Sequence, residues 1–169
     1  RIIAAPAKKI RHACIGVGGM GAGDFAQIAG HPSVEIVAVC DIDEARSKDV
    51  RAKVPGAKYY QDWRELLAKE QIDSVNVSTP DHMHAPVTMT ALSLGRHVYC
   101  QKPLTHDIHE ARMIGAKAAE TGLVTQMGTQ LASSAGDRIA VAWIRQGVIG
   151  KVREVFLWSN KPAGKYRPA

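Results

Sequence analysis

The stretch Cys14-Ile15-Gly16-Val17-Gly18-Gly19-Met20-Gly21 decides how the rest of the chain is read. An apolar run breaks into spaced glycines and then into a helix-like pattern. The spacing is G-x-G-x-x-G: Gly16 makes a tight turn, Gly18 leaves room for a pyrophosphate against the backbone, and Gly21 lets the next helix pack close to the strand. That helix, beginning near Gly19 or Met20, would present free N–H groups and the positive end of its dipole to the anion. So short a motif arises by chance in a chain with 15 glycines, and its surroundings must decide.

Working outward, the run Val34-Glu35-Ile36-Val37-Ala38-Val39-Cys40 ends directly in Asp41. Asp41 falls about 20 residues after Gly21, where a nucleotide-binding βαβ unit places a carboxylate to accept hydrogen bonds from the adenosine ribose. Periodicity then predicts a helix over 43–53, a strand over 57–60 and a helix over 62–69, in which Trp63, Leu66 and Leu67 read as core. A strand over 72–78 leads to Thr79-Pro80-Asp81-His82-Met83-His84, and a helix over 85–94 stops at Gly95. Strands over 97–100 and 123–127 alternate with helices over 105–120 and 135–146. This alternation predicts an α/β Rossmann fold, a doubly wound parallel sheet with helices on both faces. Residues 151–158 read as a strand with apolar groups on both faces and no partner. The expected organisation is a tail over 1–10, a nucleotide-binding domain over 11–150, and over 151–169 the opening of a truncated second α/β domain.

The 169 residues, 46% of them hydrophobic, suffice for one core. The net charge of +6 is spread as Lys and Arg among acids with few aromatics, which reads as a solvated basic surface and not a nucleic-acid interface. No apolar run approaches the roughly 18 residues of a membrane helix, so a soluble protein without membrane association is expected. Cys14, Cys40 and Cys100 contain no C-x-x-C pair and read as buried free thiols. Residues 1–9 are basic and Ala/Pro-rich, either the stub of a cleaved export signal or a plain boundary, and a cytoplasmic location is preferred over export.

Ligands of an open parallel sheet lie outside the carboxyl ends of its strands. Those ends hold the glycine turn, Asp41, Ser78 to His84, Gln101 to Pro103 and Gly128 to Gln130. His82 and His84 lack further ligands at suitable spacing, so no metal site is expected.

In order, GVGGMG, CDID, TPDHMHA, HVYCQKPLTH and IGKVREV resemble the N-terminal half of the Gfo/Idh/MocA family, which includes glucose-fructose oxidoreductase-like and inositol dehydrogenase-like enzymes. The resemblance covers about residues 10 to 158. It implies hydride transfer between a sugar or polyol carbon and a nicotinamide cofactor, in a homo-oligomer completed by a second domain. It further implies catalytic roles for Lys102 and His84. Cofactor contacts are implied for Gly16, Gly18, Gly19, Met20, Gly21, Asp41, Ser78, Thr79, Pro80, His82, Gln101 and Lys102. Asp41 favours NAD over NADP, because a 2′-phosphate would meet its carboxylate. Pro103 holds Lys102 extended and admits a cis bond. Gln101 departs from the family, which usually has Glu there. Glutamine still hydrogen-bonds but brings no negative charge, so Lys102 is expected to shed its proton more readily than in an acid-bearing relative. Two other functions stay open: a glycosidase that oxidises its sugar transiently with bound NAD, and a nucleotide-binding module without catalysis of its own.

Overall fold

The computed structural model describes residues 8–158. Six strands form one parallel sheet: β1 (Ile10–Ile15), β2 (Val34–Cys40), β3 (Lys58–Tyr60), β4 (Ser74–Val77), β5 (His97–Gln101) and β6 (Thr125–Gly128). Between them run α1 (Met20–Ala29), α2 (Glu44–Lys53), α3 (Trp63–Lys69), α4 (Asp81–Ser93) and α5 (Ile108–Thr121). The strand order is β3-β2-β1-β4-β5-β6. The chain therefore winds outward from β1 to β3, returns to the other side of β1, and winds outward again. The reversal opens a crevice between the carboxyl ends of β1 and β4.

Local chemistry sets the helix ends. Asp43 accepts hydrogen bonds from the Ala45 and Arg46 N–H groups, Asp62 from Arg64, and Asp107 from Glu110, so each caps the helix that follows it. Gly95, at φ 76°, ends α4: its N–H donates to the Leu92 carbonyl and the Arg96 N–H to the Ala91 carbonyl. Strand alternation then divides the core between two layers. Ala13, Ile15, Ala38, Cys40, Val75, Val77, Val98 and Cys100 pack with α3, α4 and α5, whereas Cys14 and Val39 pack with Phe25 of α1 and Val50 of α2. No helix among the described residues is long and apolar enough to cross a membrane.

The structure differs from the sequence reading in three places. Helix α4 begins at Asp81 and not at residue 85, which puts Pro86 inside it. Pro80, at φ −58°, stands at the cap, and the Asp81 carboxylate sits in the first turn, where the helix dipole favours it. Second, the chain divides into two compact units between Thr129 and Gln130. Helix α6 (Ala135–Arg145), expected within the nucleotide-binding domain, falls in the second unit behind a short 3₁₀ turn, Gln130–Ser133. Third, residues 152–158 are exposed and form no strand. A strand needs a neighbour for its N–H and C=O groups, and none of the described strands pairs with this segment. Residues 159–169 of the expected second domain lie outside the described residues.

Candidate functional site

The glycine turn is locked from three sides. The Gly16 N–H donates to the Cys40 carbonyl at 2.8 Å. At φ 80°, Gly16 lies so close to the next strand that a Cβ would stand 2.6 Å from the Ser78 carbonyl oxygen. A Cβ on Gly21 would lie 1.9 Å from the Gly16 carbonyl oxygen, so α1 rests directly on the turn. Asp41 is the third fastener. Its Oδ2 accepts from the Val17 and Gly18 N–H groups, both at 2.9 Å, and its Oδ1 from the Asp43 N–H at 3.0 Å. Its carboxylate therefore joins β2 to the turn and keeps spare acceptor capacity on Oδ1.

A cleft of about 800 Å³ opens over the switch point. Among the residues singled out from the sequence, Gly16, Gly18, Gly19, Met20, Asp41, Ser78, Thr79, Pro80 and His82 line it. Gly21 is buried beneath the turn. The cleft also takes in Ile42, Arg46 and Arg64, which the sequence did not single out, and Trp63, which it assigned to the core. Trp63 does both jobs, packing against the core while lining the cleft. The available signal was position, since these residues follow the carboxyl ends of β2 and β3.

On the β4–β5 side the geometry revises two expectations. His84 is 1% exposed, with Nδ1 2.5 Å from the Pro103 carbonyl oxygen and Nε2 2.7 Å from that of Thr79. Both ring nitrogens face backbone carbonyl oxygens, and the ring N–H donates to one of them. His84 therefore links the segment after β4 to the segment after β5, and His82 is the exposed histidine of the pair.

The second revision concerns Gln101, which turns inward. Its Nε2 donates to both carboxylate oxygens of Asp24 on α1, at 2.9 and 2.8 Å, and its Oε1 accepts from the Lys102 N–H at 3.3 Å. Ser78 Oγ donates to Asp24 Oδ2 at 2.7 Å, and Asn76 Nδ2 to Ser78 Oγ at 3.0 Å. His12 closes the chain, Nε2 lying 3.2 Å from Asn76 Oδ1 and Nδ1 2.7 Å from Ser74 Oγ. Position 101 thus brings no charge of its own but is held by one. Lys102 is exposed beside it, and the Lys102–Pro103 bond is cis. Burial, and then the charge of Asp24, push the Cys14 thiol and the Tyr99 phenol up; burial and nearby Asp41 and Asp62 raise Cys40 to about 12. The three cysteines are buried, and these shifts keep Cys14 and Cys40 as inert thiols.

The family described as the oxidoreductase family, NAD-binding Rossmann fold, matches residues 10–129. The chain belongs to this family. The NAD-binding domain is 32% identical over 115 residues to inositol 2-dehydrogenase of Mycolicibacterium smegmatis, covering 68% of this chain and 33% of that protein. It is 29% identical over 160 residues to alpha-N-acetylgalactosaminidase of Shewanella oneidensis, covering 89% of this chain and 35% of that one. The crystal structure of scyllo-inositol dehydrogenase from Lactobacillus casei with bound NAD(H) and scyllo-inositol superimposes with a TM-score of 0.79 at 23% identity, over 85% of this chain and 43% of that one. At that identity the likeness concerns the fold. The chain spans about a third of the length of the curated relatives it matches.

The residues present fit NAD. Gly19 caps α1 without a side chain, and the N–H groups of Gly19 and Met20 are bonded to none of the described residues, although both residues line the cleft. A Cβ built on Gly19 meets nothing within 4 Å, so the ground over these donors is open. Unbonded donors at the start of a helix suit an anion such as a pyrophosphate. On the other side, the Thr79 hydroxyl is buried without a hydrogen-bond partner among the described residues.

Proposed function

We propose that the complete protein is an NAD-dependent oxidoreductase that moves a hydride between a sugar or polyol CH–OH carbon and the nicotinamide, with this chain supplying the nucleotide-binding domain. The observation that carries the reading is the division of the carboxyl edge by the strand order. Asp41 lines the cleft at the end of β2, and Lys102 stands exposed at the end of β5, on the other side of β1 in the strand order and outside the residues that line the cleft. The backbone N–H groups of Gly19 and Met20 hold the pyrophosphate, Asp41 Oδ1 accepts from the ribose and disfavours a 2′-phosphate, and Thr79, Pro80 and His82 line the nicotinamide half. Bound NAD supplies the hydride acceptor. Lys102 Nζ takes the hydroxyl proton that must leave as the carbinol is oxidised, and the second domain contributes the rest of the substrate contacts and the homo-oligomer interface.

The test uses the complete protein with NAD and a panel of inositols and sugars. Accumulation of NADH is expected, with Lys102→Ala lowering kcat about 100-fold while the NAD Kd stays within about two-fold. A Lys102→Ala protein with undiminished kcat rules out the assignment of the base. One observation favours a second reading, a glycosidase with transient oxidation: the galactosaminidase match covers 89% of the chain and the inositol dehydrogenase match 68%. Glycoside cleavage without net NADH decides for that reading.

A further inference from the structure

The geometry points to Asp24 as the resident acid of the nicotinamide half: with Gln101 it forms one acid-amide pair whose negative charge, carried on α1, favours the oxidised, cationic nicotinamide over the reduced, neutral one. The inference rests on the NAD-binding reading of the cleft. Three observations carry it. Asp24 is the one charged side chain of α1, and its carboxylate is held by groups at the carboxyl ends of two strands, Ser78 after β4 and Gln101 at the end of β5. The Gln101 amide is clamped: a Cβ on Gly128 of β6 would lie 2.6 Å from its Oε1, and that oxygen already faces the Lys102 N–H. With Nε2 on the carboxylate and Oε1 on a backbone donor, the amide has a single workable orientation. A glutamate at 101 would instead set two carboxylates at hydrogen-bond distance, where they must share a proton. Residues 24 and 101 are therefore matched as one acid and one amide, and the charge missing from the end of β5 is present one helix away. Asp24 is a positioning residue for Gln101 and, through the Gln101 contact to its N–H, for Lys102.

Calorimetry with NAD+ and with NADH on this chain tests the proposal, comparing the parent, Asp24→Asn, Gln101→Glu and the double exchange Asp24→Asn/Gln101→Glu. The ratio of the NADH Kd to the NAD+ Kd is expected to fall about five-fold in Asp24→Asn, because a charge acts on the two redox forms unequally. It should return to within about two-fold of the parent in the double exchange, which keeps one acid and one amide in the same pair. Gln101→Glu alone should melt below the parent, with the midpoint recovering in the double exchange. A purely structural role lowers both affinities together, so a ratio unmoved in Asp24→Asn overturns the proposal and leaves NAD binding standing. A double exchange no better than its worse single also overturns it. A parent chain that binds neither redox form removes the cofactor reading and the proposal with it.

Discussion

The two faces of β1, β4 and β5 are built from different materials. Toward α3, α4 and α5 they present Ala13, Ile15, Val75, Val77, Val98 and Cys100, a continuous apolar layer. Toward α1 the same strands present Cys14, packed against Phe25, and beside it three polar residues, His12, Asn76 and Gln101, each at most 8% exposed and joined through Ser78 and Asp24 into one hydrogen-bonded chain. A sheet intended for stability alone would repeat the apolar layer on both sides, since burying amides stabilises little even when every bond is made. The polar face instead leads to the edge that carries Lys102. One face holds the sheet together, and the other sets where the groups at its carboxyl end stand.

Substitutions on the two faces should separate these roles. The largest effect is expected from Leu92→Ala in α4, where a fully buried side chain is lost from the apolar layer. Unfolding by urea should show about 2–5 kcal/mol less stability, with the NAD Kd of the remaining folded protein within about two-fold of the parent. Asn76→Ala should cost less, about 1–3 kcal/mol, because it leaves His12 and Ser78 short of a partner, but it should weaken NAD binding as well. Equal affinity in the two variants would erase the distinction between the faces.

The smallest expected effect serves as the control, a polar cluster away from the cleft. Glu70, 6% exposed, accepts from Lys58 Nζ at 2.8 Å and from Tyr60 Oη at 2.5 Å. The bond from Lys58, then that from Tyr60, hold its carboxyl below the usual range against the opposing effect of burial, and the Tyr60 phenol is pushed up to about 12. A carboxyl with a depressed folded pKa adds stability above its unfolded value and loses it as pH falls through the folded one. Glu70→Gln should therefore cost about 1 kcal/mol at neutral pH, a figure reduced by the solvent around Lys58. The gap to the parent should close below about pH 4 with no change in NAD affinity. A gap independent of pH would mean that the ion pair contributes nothing.

Much of the sheet was legible from the chain alone because strand and helix periods are local. The run from Val34 to Cys40 reads as a strand without help from any neighbour, and the helix read over 43–53 differs from α2 only in that Asp43 stands at its cap. Gly16 and Gly21 were legible for the same reason, since their close approaches involve the turn and its adjoining strand ends. Residues 151–158 show the limit: their pattern suits a strand, yet a strand exists only where a neighbour accepts and donates its hydrogen bonds. Trp63 shows another, because helical spacing identifies a residue that faces inward without telling whether inward ends in core or in cleft.

Nearest-neighbour chemistry along the backbone was enough to dictate the elements, the turn and the position of the site at the carboxyl edge. Folding in three dimensions had to settle the partners: Asp24 meets Gln101 across 77 residues, and His84 reaches Pro103 across 19. A hydrogen bond is specific in space and indifferent to separation along the chain, so no local pattern announces that a lone acid on α1 supplies the charge a glutamine on β5 does not carry.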